Sequence, residues 1–174
     1  MRFKKYIIII LGSIFLVFIF LINQGNIGVS QNNIEKDARK SHKIPEEWIV
    51  AKDVNNYFGT LIFYSEDFSD YTFSIYQNKE GLSFGYFFRL GGRLTEISDK
   101  ILKVASNGHG DIFLSLNKLQ VSRIEINDGE YTKEVFIENT KPFTLIIPEN
   151  SEEIKFYTID GDSISDNLII EQTL

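Results

Sequence analysis

IEINDGEYTKEVFI, residues 124–137, decides the fold class of this chain. Ile124 and Ile126 alternate with polar residues, Asp128-Gly129 follows, and Tyr131, Lys133, Val135 and Ile137 resume the same period. A period of two sends successive side chains to opposite faces of a strand. Asp-Gly supplies the positive φ that a tight hairpin turn requires. The stretch therefore predicts two antiparallel strands joined at Asp128-Gly129.

The same pattern recurs on both sides of it. Tyr71, Phe73 and Ile75 alternate with Thr72, Ser74 and Tyr76, and Asn78-Lys79-Glu80-Gly81 predicts a turn. Leu82, Phe84, Tyr86 and Phe88 then alternate as the return strand. A third hairpin is expected to join residues 154–159 to residues 163–170 through Asp160-Gly161. Residues 143–147 form a further strand between Pro142 and Pro148, which suits an edge. Residues 49–51 could open the domain as a first strand or continue a helix started at Pro45. Residues 95–106 are the one helix candidate, with Leu94, Ile97, Ile101 and Ala105 on a single face, although residues 101–105 also fit a short strand. About nine strands result. The expected fold is mainly β: a single antiparallel β-sandwich or partly open barrel with room for one short helix.

The first 22 residues have a different composition. Arg2, Lys4 and Lys5 precede an apolar run over residues 6–22, interrupted only by Gly12 and Ser13. As a helix those 17 residues span roughly 25 Å, against a hydrocarbon core of about 30 Å. The run is longer than the apolar region of a cleavable signal peptide. The nearest cleavage pattern, Gly28-Val29-Ser30, lies well beyond it. A retained transmembrane helix, 1–22, is expected, with a polar tether over 23–43 and an extracytoplasmic β domain over 44–174. A secreted form cut before Gln31 is the alternative. Basic residues on the N-terminal side keep that end cytoplasmic.

The three basic residues leave with this segment and no acidic ones do. Of the chain's 18 Lys+Arg and 24 Asp+Glu, the remainder keeps 15 and 24, a net of −9. That sign repels nucleic acid, so no nucleic-acid partner is expected. Without cysteine there is no disulfide, thiolate metal site or lipid-modified N-terminus. No Asn-x-Ser/Thr sequon occurs. The layout resembles small signal-anchored envelope proteins of Gram-positive bacteria. The resemblance implies a cell-membrane location with the domain outside.

Candidate chemistry is sparse. Gly81-Leu82-Ser83-Phe84-Gly85 matches a hydrolase nucleophile elbow, but that motif needs a strand before it and a helix after it. Asn107-Gly108-His109-Gly110-Asp111 offers a histidine beside a carboxylate, the raw material for a general base. It is also ordinary turn chemistry. Asp160, Asp162 and Asp166 lack the fifth and twelfth ligands of a calcium loop. His42 sits in the tether, and Glu66, Asp67 and Asp70 suit a solvated turn. Twelve Phe and Tyr fall between Tyr57 and Phe88. Tyr86, Phe87 and Phe88 are consecutive and must point to both faces of a strand. If the face carrying Tyr76 and Phe87 is open, it is a binding surface. The expected function is a non-enzymatic module for an envelope protein or ligand, with Tyr76, Phe87 and His109 as binding residues and no cofactor. A small hydrolase using His109 and Asp111 is the alternative.

Overall fold

A computed structural model describes residues 2–23, 25–79, 83–93, 99–106 and 108–174, with side chains in the first helix described over residues 6–20. Among these, eleven strands form three sheets and no closed barrel. The first sheet runs β1 (Ile49–Val54), β2 (Phe58–Tyr64), β3 (Tyr71–Asn78), β4 (Tyr86–Gly92), each antiparallel to the next. The middle sheet has the order β11 (Ile169–Thr173), β5 (Ile101–Ser106), β6 (Gly110–Ser115), β9 (Phe143–Ile147). The third has β10 (Glu153–Thr158), β7 (Val121–Asn127), β8 (Thr132–Phe136).

Burial explains the stacking. All seven residues of β2 are buried, so its sequence carries no polar alternation. Phe58, Ile62, Tyr64, Phe73 and Ile75 pack on Leu102, Val104, Ile112, Leu114 and Ile146 of the middle sheet. The opposite face of the middle sheet, through Ile101, Phe113, Phe143 and Ile147, packs on Val121, Ile124 and Phe156 of the third. Three layers therefore replace the two of a simple sandwich. A polar seam joins the first two layers: Thr144 donates to Thr60 at 2.7 Å inside the core, and the Ile146 N–H donates to Asp53 at 2.8 Å.

Helix α1 (Arg2–Asn23) leads into the chain, and α2 (Ile34–His42) covers the outer face of the first sheet. Residues 23–43, expected as a polar tether, thus contain a packed helix. Ile34 and Ala38, four apart and so on one face, are buried against Leu61, Phe63, Tyr76 and Tyr86. Arg39 fixes the helix end: its guanidinium donates to the carbonyls of Pro45 (2.8 Å) and Trp48 (2.9 Å) and pairs with Glu35 at 3.2 Å. It also lies 4.9 Å from the centre of the Phe63 ring. Tyr76 Oη donates to Asp37 at 2.7 Å.

Large apolar side chains of α1 between residues 6 and 20 are exposed. Among the described residues no helix is long and apolar enough to cross a membrane. The described side chains cover fifteen residues, and Leu21 and Ile22 of the expected span lie outside them.

Several expectations need correction. The middle sheet is mixed: β11 runs parallel to β5, Ile169 opposite Ile101. After β10 the chain does not return as a full strand. Ser163 alone bridges Tyr157, and residues 166–168 make a 3₁₀ turn that redirects the chain into the middle sheet. Half of the helix candidate is strand β5, because Ile101, Leu102 and Val104 bury side chains on both faces, which a one-sided helix stripe cannot do. Residues 94–98 lie outside the described residues. Residues 49–51 are strand. The hairpin at Asp128-Gly129 joins β7 to β8, with Asn127 opposite Thr132.

Two glycines in the left-handed region separate conformation from space. Gly129 has φ +91°, and a Cβ there would meet the movable Glu152 carboxylate. Gly110 has φ +99°, and a Cβ there would lie 2.1 Å from the Ile147 carbonyl oxygen, which is backbone. Gly129→Ala should cost about 1–2 kcal/mol from conformation alone. Gly110→Ala should cost about 3 kcal/mol or more, since β9 must part from β6. Urea unfolding of the two variants ranks them. For the α2 seat, burial and then Asp37 hold the Tyr76 phenol well above its ordinary pKa. A raised folded pKa gives stability that is complete below the unfolded value and lost as pH rises. Wild-type stability should therefore fall above about pH 10. Tyr76→Phe should cost about 1 kcal/mol at neutral pH and reduce that alkaline loss, leaving the smaller share of the other raised tyrosines, Tyr64, Tyr86 and Tyr157.

Candidate functional site

Of the three residues expected to bind, Tyr76, Phe87 and His109, only Tyr76 is part of the core. Tyr76 is 1% exposed and bonded to α2, so its face is core. Tyr64 is buried against the middle sheet. Phe87 is half-buried, with Lys79 Nζ 4.5 Å above its ring. Phe84 and Phe88 are the exposed aromatics of that segment. Ser83 and Phe84 precede β4 rather than entering it, and Gly81 and Leu82 of the elbow motif lie outside the described residues.

His109 stacks on Tyr57, ring centres 4.6 Å apart and 17° between planes, with Phe58 edge-on at 6.3 Å. It therefore faces the first sheet. A groove of ≈ 560 Å³ opens there between Asn55, Tyr57, Gly108, Pro148 and Asn150. Asp111 points the other way. The positive φ of Gly110 breaks the alternation between them, and Asp111 shares the parity of Phe113, which packs toward the third sheet. Its carboxylate lies 3.1 Å from Lys103 Nζ, which also reaches Glu171 at 3.3 Å. Burial works against the Lys103 ammonium, but Asp111 and Glu171 outweigh it and raise its pKa. Asp111 is thus engaged by Lys103, and His109 by the Tyr57 and Phe58 rings. No group of three or more metal-ligating side chains occurs among the described residues.

A different cleft, of ≈ 350 Å³, opens at the opposite end of β2. Three connections converge on it. The turn 65–70 brings Phe68 and leads to Tyr71, the β6–β7 link brings Leu116, Asn117, Lys118 and Gln120, and the β8–β9 link brings Asn139 and Thr140. Four non-glycine residues have positive φ among the described residues, and Phe68 (58°), Asn117 (58°) and Gln120 (55°) are three of them. Such conformations cost about 1–3 kcal/mol each and persist only where surroundings enforce them.

The enforcing contacts are visible. Asn117 is buried and fully engaged: it accepts from the Val121 N–H at 2.7 Å and donates to the carbonyls of Val121 and Glu138, both at 3.1 Å. It ties the second connection to the third. Phe68 lies flat on Tyr64, ring centres 5.3 Å apart and 6° between planes, with its outer face open to the cleft. Asp67 holds the turn beneath it. One carboxylate oxygen accepts from Ser65 Oγ (2.7 Å), the Ser69 N–H (3.1 Å) and Ser69 Oγ (2.8 Å). Those bonds, Ser65 foremost, draw the Asp67 pKa down to about 2.

The cleft can hold a small molecule. Phe68, Tyr71 and Leu116 give it an apolar floor, while Gln120, Asn139, Thr140 and Lys118 stand at its margin. No hydrogen bond among the described residues engages those four side chains, and no carboxylate lines the cleft. None of these residues carries a sequence signal. Asp67 belonged to an apparently solvated acidic turn, and only tertiary convergence reveals the cleft. No family model, curated protein or solved structure matches this chain.

Asp67 makes the Phe68 turn acid-sensitive. A depressed folded pKa gives order that is present above the unfolded value and lost as pH falls through the folded one. The turn should loosen between about pH 4 and about pH 2, and Asp67→Ala should loosen it at neutral pH. Ring-proton NMR line shapes of Phe68 and Tyr64 report both.

Proposed function

We propose that this chain is a non-catalytic binding module held at the cell membrane by α1. It displays the Phe68 cleft outside the cytoplasm to a small uncharged ligand with one apolar face and several hydroxyl or amide groups, such as a saccharide. The observation that carries the ligand reading is the cleft: an aromatic shelf with amide, hydroxyl and one lysine side chain at its margin and no carboxylate, presented by three enforced left-handed residues. A flat ring receives the C–H face of a sugar, and amide and hydroxyl side chains exchange hydrogen bonds with its edge. Apolar pockets with a few convergent polar groups are the usual form of small-molecule sites.

The membrane reading is supported by the composition of α1. Its described large apolar side chains, from Tyr6 to Phe20, are exposed all round the helix. A helix apolar on every side is stable only in an apolar surrounding. Arg2, Lys4 and Lys5 support a cytoplasmic N-terminus, since basic residues favour that side. The geometry suits this arrangement. Residues 26–29, just after α1, pair with Phe84 and Tyr86 at the end of the first sheet where β2 begins. The Phe68 cleft lies at the other end of β2, roughly 20 Å away for seven extended residues, and so faces away from the bilayer.

The test is an NMR titration of the full chain in detergent micelles with cellobiose, chitobiose and maltose. At least one should shift the signals of Phe68, Tyr71 and Leu116. Phe68→Gly should abolish the response while leaving stability within about 1 kcal/mol of wild type, since relief of the left-handed strain offsets the lost ring contact. Shifts at His109 and Tyr57 instead would reject the cleft. A reporter fused after Leu174 that is active in the cytoplasm would reject the topology.

A further inference from the structure

The exposed aromatics nearest the N-terminus form a rim with a defined neighbour. β4 is the edge of the first sheet, and residues 26–29 lie along its start. Gly28 N–H donates to the Phe84 carbonyl at 2.7 Å, and Phe84 N–H to the Asn26 carbonyl at 2.8 Å. Val29 and Tyr86 exchange N–H···O bonds at 2.9 and 2.8 Å. These bonds bring Ile27, 39% exposed, beside Phe84, 57% exposed, with the Phe87–Lys79 pair next to them. In water this apolar rim is unfavourable, and the strap holds it in place.

Chain length fixes what it meets. Ile27 follows Asn23, the last residue of α1, by four positions. Four extended residues reach at most about 14 Å, and Gly25, in a turn with φ +66°, shortens that. The apolar run 6–22, roughly 25 Å as a helix, is shorter than the hydrocarbon core of about 30 Å. A short span draws its flanking residues toward the bilayer. The headgroup layer adds only about 6 Å on each side. We propose that, given the membrane reading of α1 on which this rests, the Ile27–Phe84 rim with Phe87 and Lys79 lies in the lipid headgroup layer and seats the domain on the bilayer. Phenylalanine and isoleucine side chains beside a lysine suit the boundary between headgroups and acyl chains. The net charge of −9 beyond α1 makes anionic lipid a poor partner. The contact is therefore apolar, insensitive to salt, and complete on zwitterionic lipid.

The absence of cysteine makes a direct test clean. The full chain is placed in phosphatidylcholine nanodiscs with a single nitroxide label at Phe84→Cys, Ile27→Cys, Ile14→Cys or Glu66→Cys. Collisional access to oxygen and to a nickel chelate gives the depth of each label by EPR. Ile14 should lie deep. Phe84 and Ile27 should show several-fold lower nickel access and higher oxygen access than Glu66, at the far turn of the first sheet. Agreement between the two rim labels guards against a locally disturbed variant. Rim labels as open to nickel as Glu66, with Ile14 deep, would overturn the docking and leave the anchor. Rim labels shielded from both reagents would mean that a second protein copy covers the rim, and would overturn it too. An Ile14 label open to nickel would overturn the anchor and the docking together.

Discussion

Burial of the first sheet on both faces governs the rest of the molecule. β2 places Phe58, Ile62 and Tyr64 on one side and Leu61 and Phe63 on the other. A sheet with two apolar faces needs two covers. The middle sheet supplies one, and it has two apolar faces of its own, so a third sheet must follow. α2 supplies the other cover. Leaving Phe63 open would forfeit a contact of the size lost when a core Phe is truncated, about 3–5 kcal/mol.

That requirement explains how a polar segment became structure. Only Ile34, Ala38 and Ile44 of the α2 region enter the core. The remaining fixation is polar. Arg39 satisfies the carbonyls of Pro45 and Trp48, and Asp37 accepts from the Tyr76 hydroxyl. One arginine thus holds the helix end, the link to β1 and the ring of Phe63. Seating α2 also fixes the strap before it, and hence the end of the first sheet from which α1 departs.

Two ends of one sandwich therefore have different chemistry. The end at the start of β2 carries Ile27, Phe84 and the Tyr57–His109 stack, bound to a short link from α1. The far end carries the Phe68 cleft, where two of its three connections are held in costly conformations by Asn117 and Asp67. Strain at the far end and apolar exposure at the near end are both departures from the cheapest surface.

The strand content, the Asp128-Gly129 hairpin, the strands Tyr71–Asn78 and Phe143–Ile147, and the apolar N-terminal run were legible because each is a local pattern. Turn chemistry and a period of two act within a few residues, so a linear chain displays them. Layer number was not legible, since an unbroken run such as FGTLIFY reports burial on both faces without naming the covers. The packing of α2 depended on two small apolar contacts and on Arg39 reaching carbonyls six and nine residues on. The parallel pairing of β11, and the choice between helix and strand at residues 101–105, followed from which neighbours were present. Tyr76 looked like a surface candidate because sequence cannot say which face a helix covers. The Phe68 cleft was invisible because its residues come from three connections far apart in the chain. Sequence alone determined the local elements and the apolar character of the N-terminus. Tertiary structure decided which faces are closed and which loops converge, because burial depends on neighbours distant in the chain.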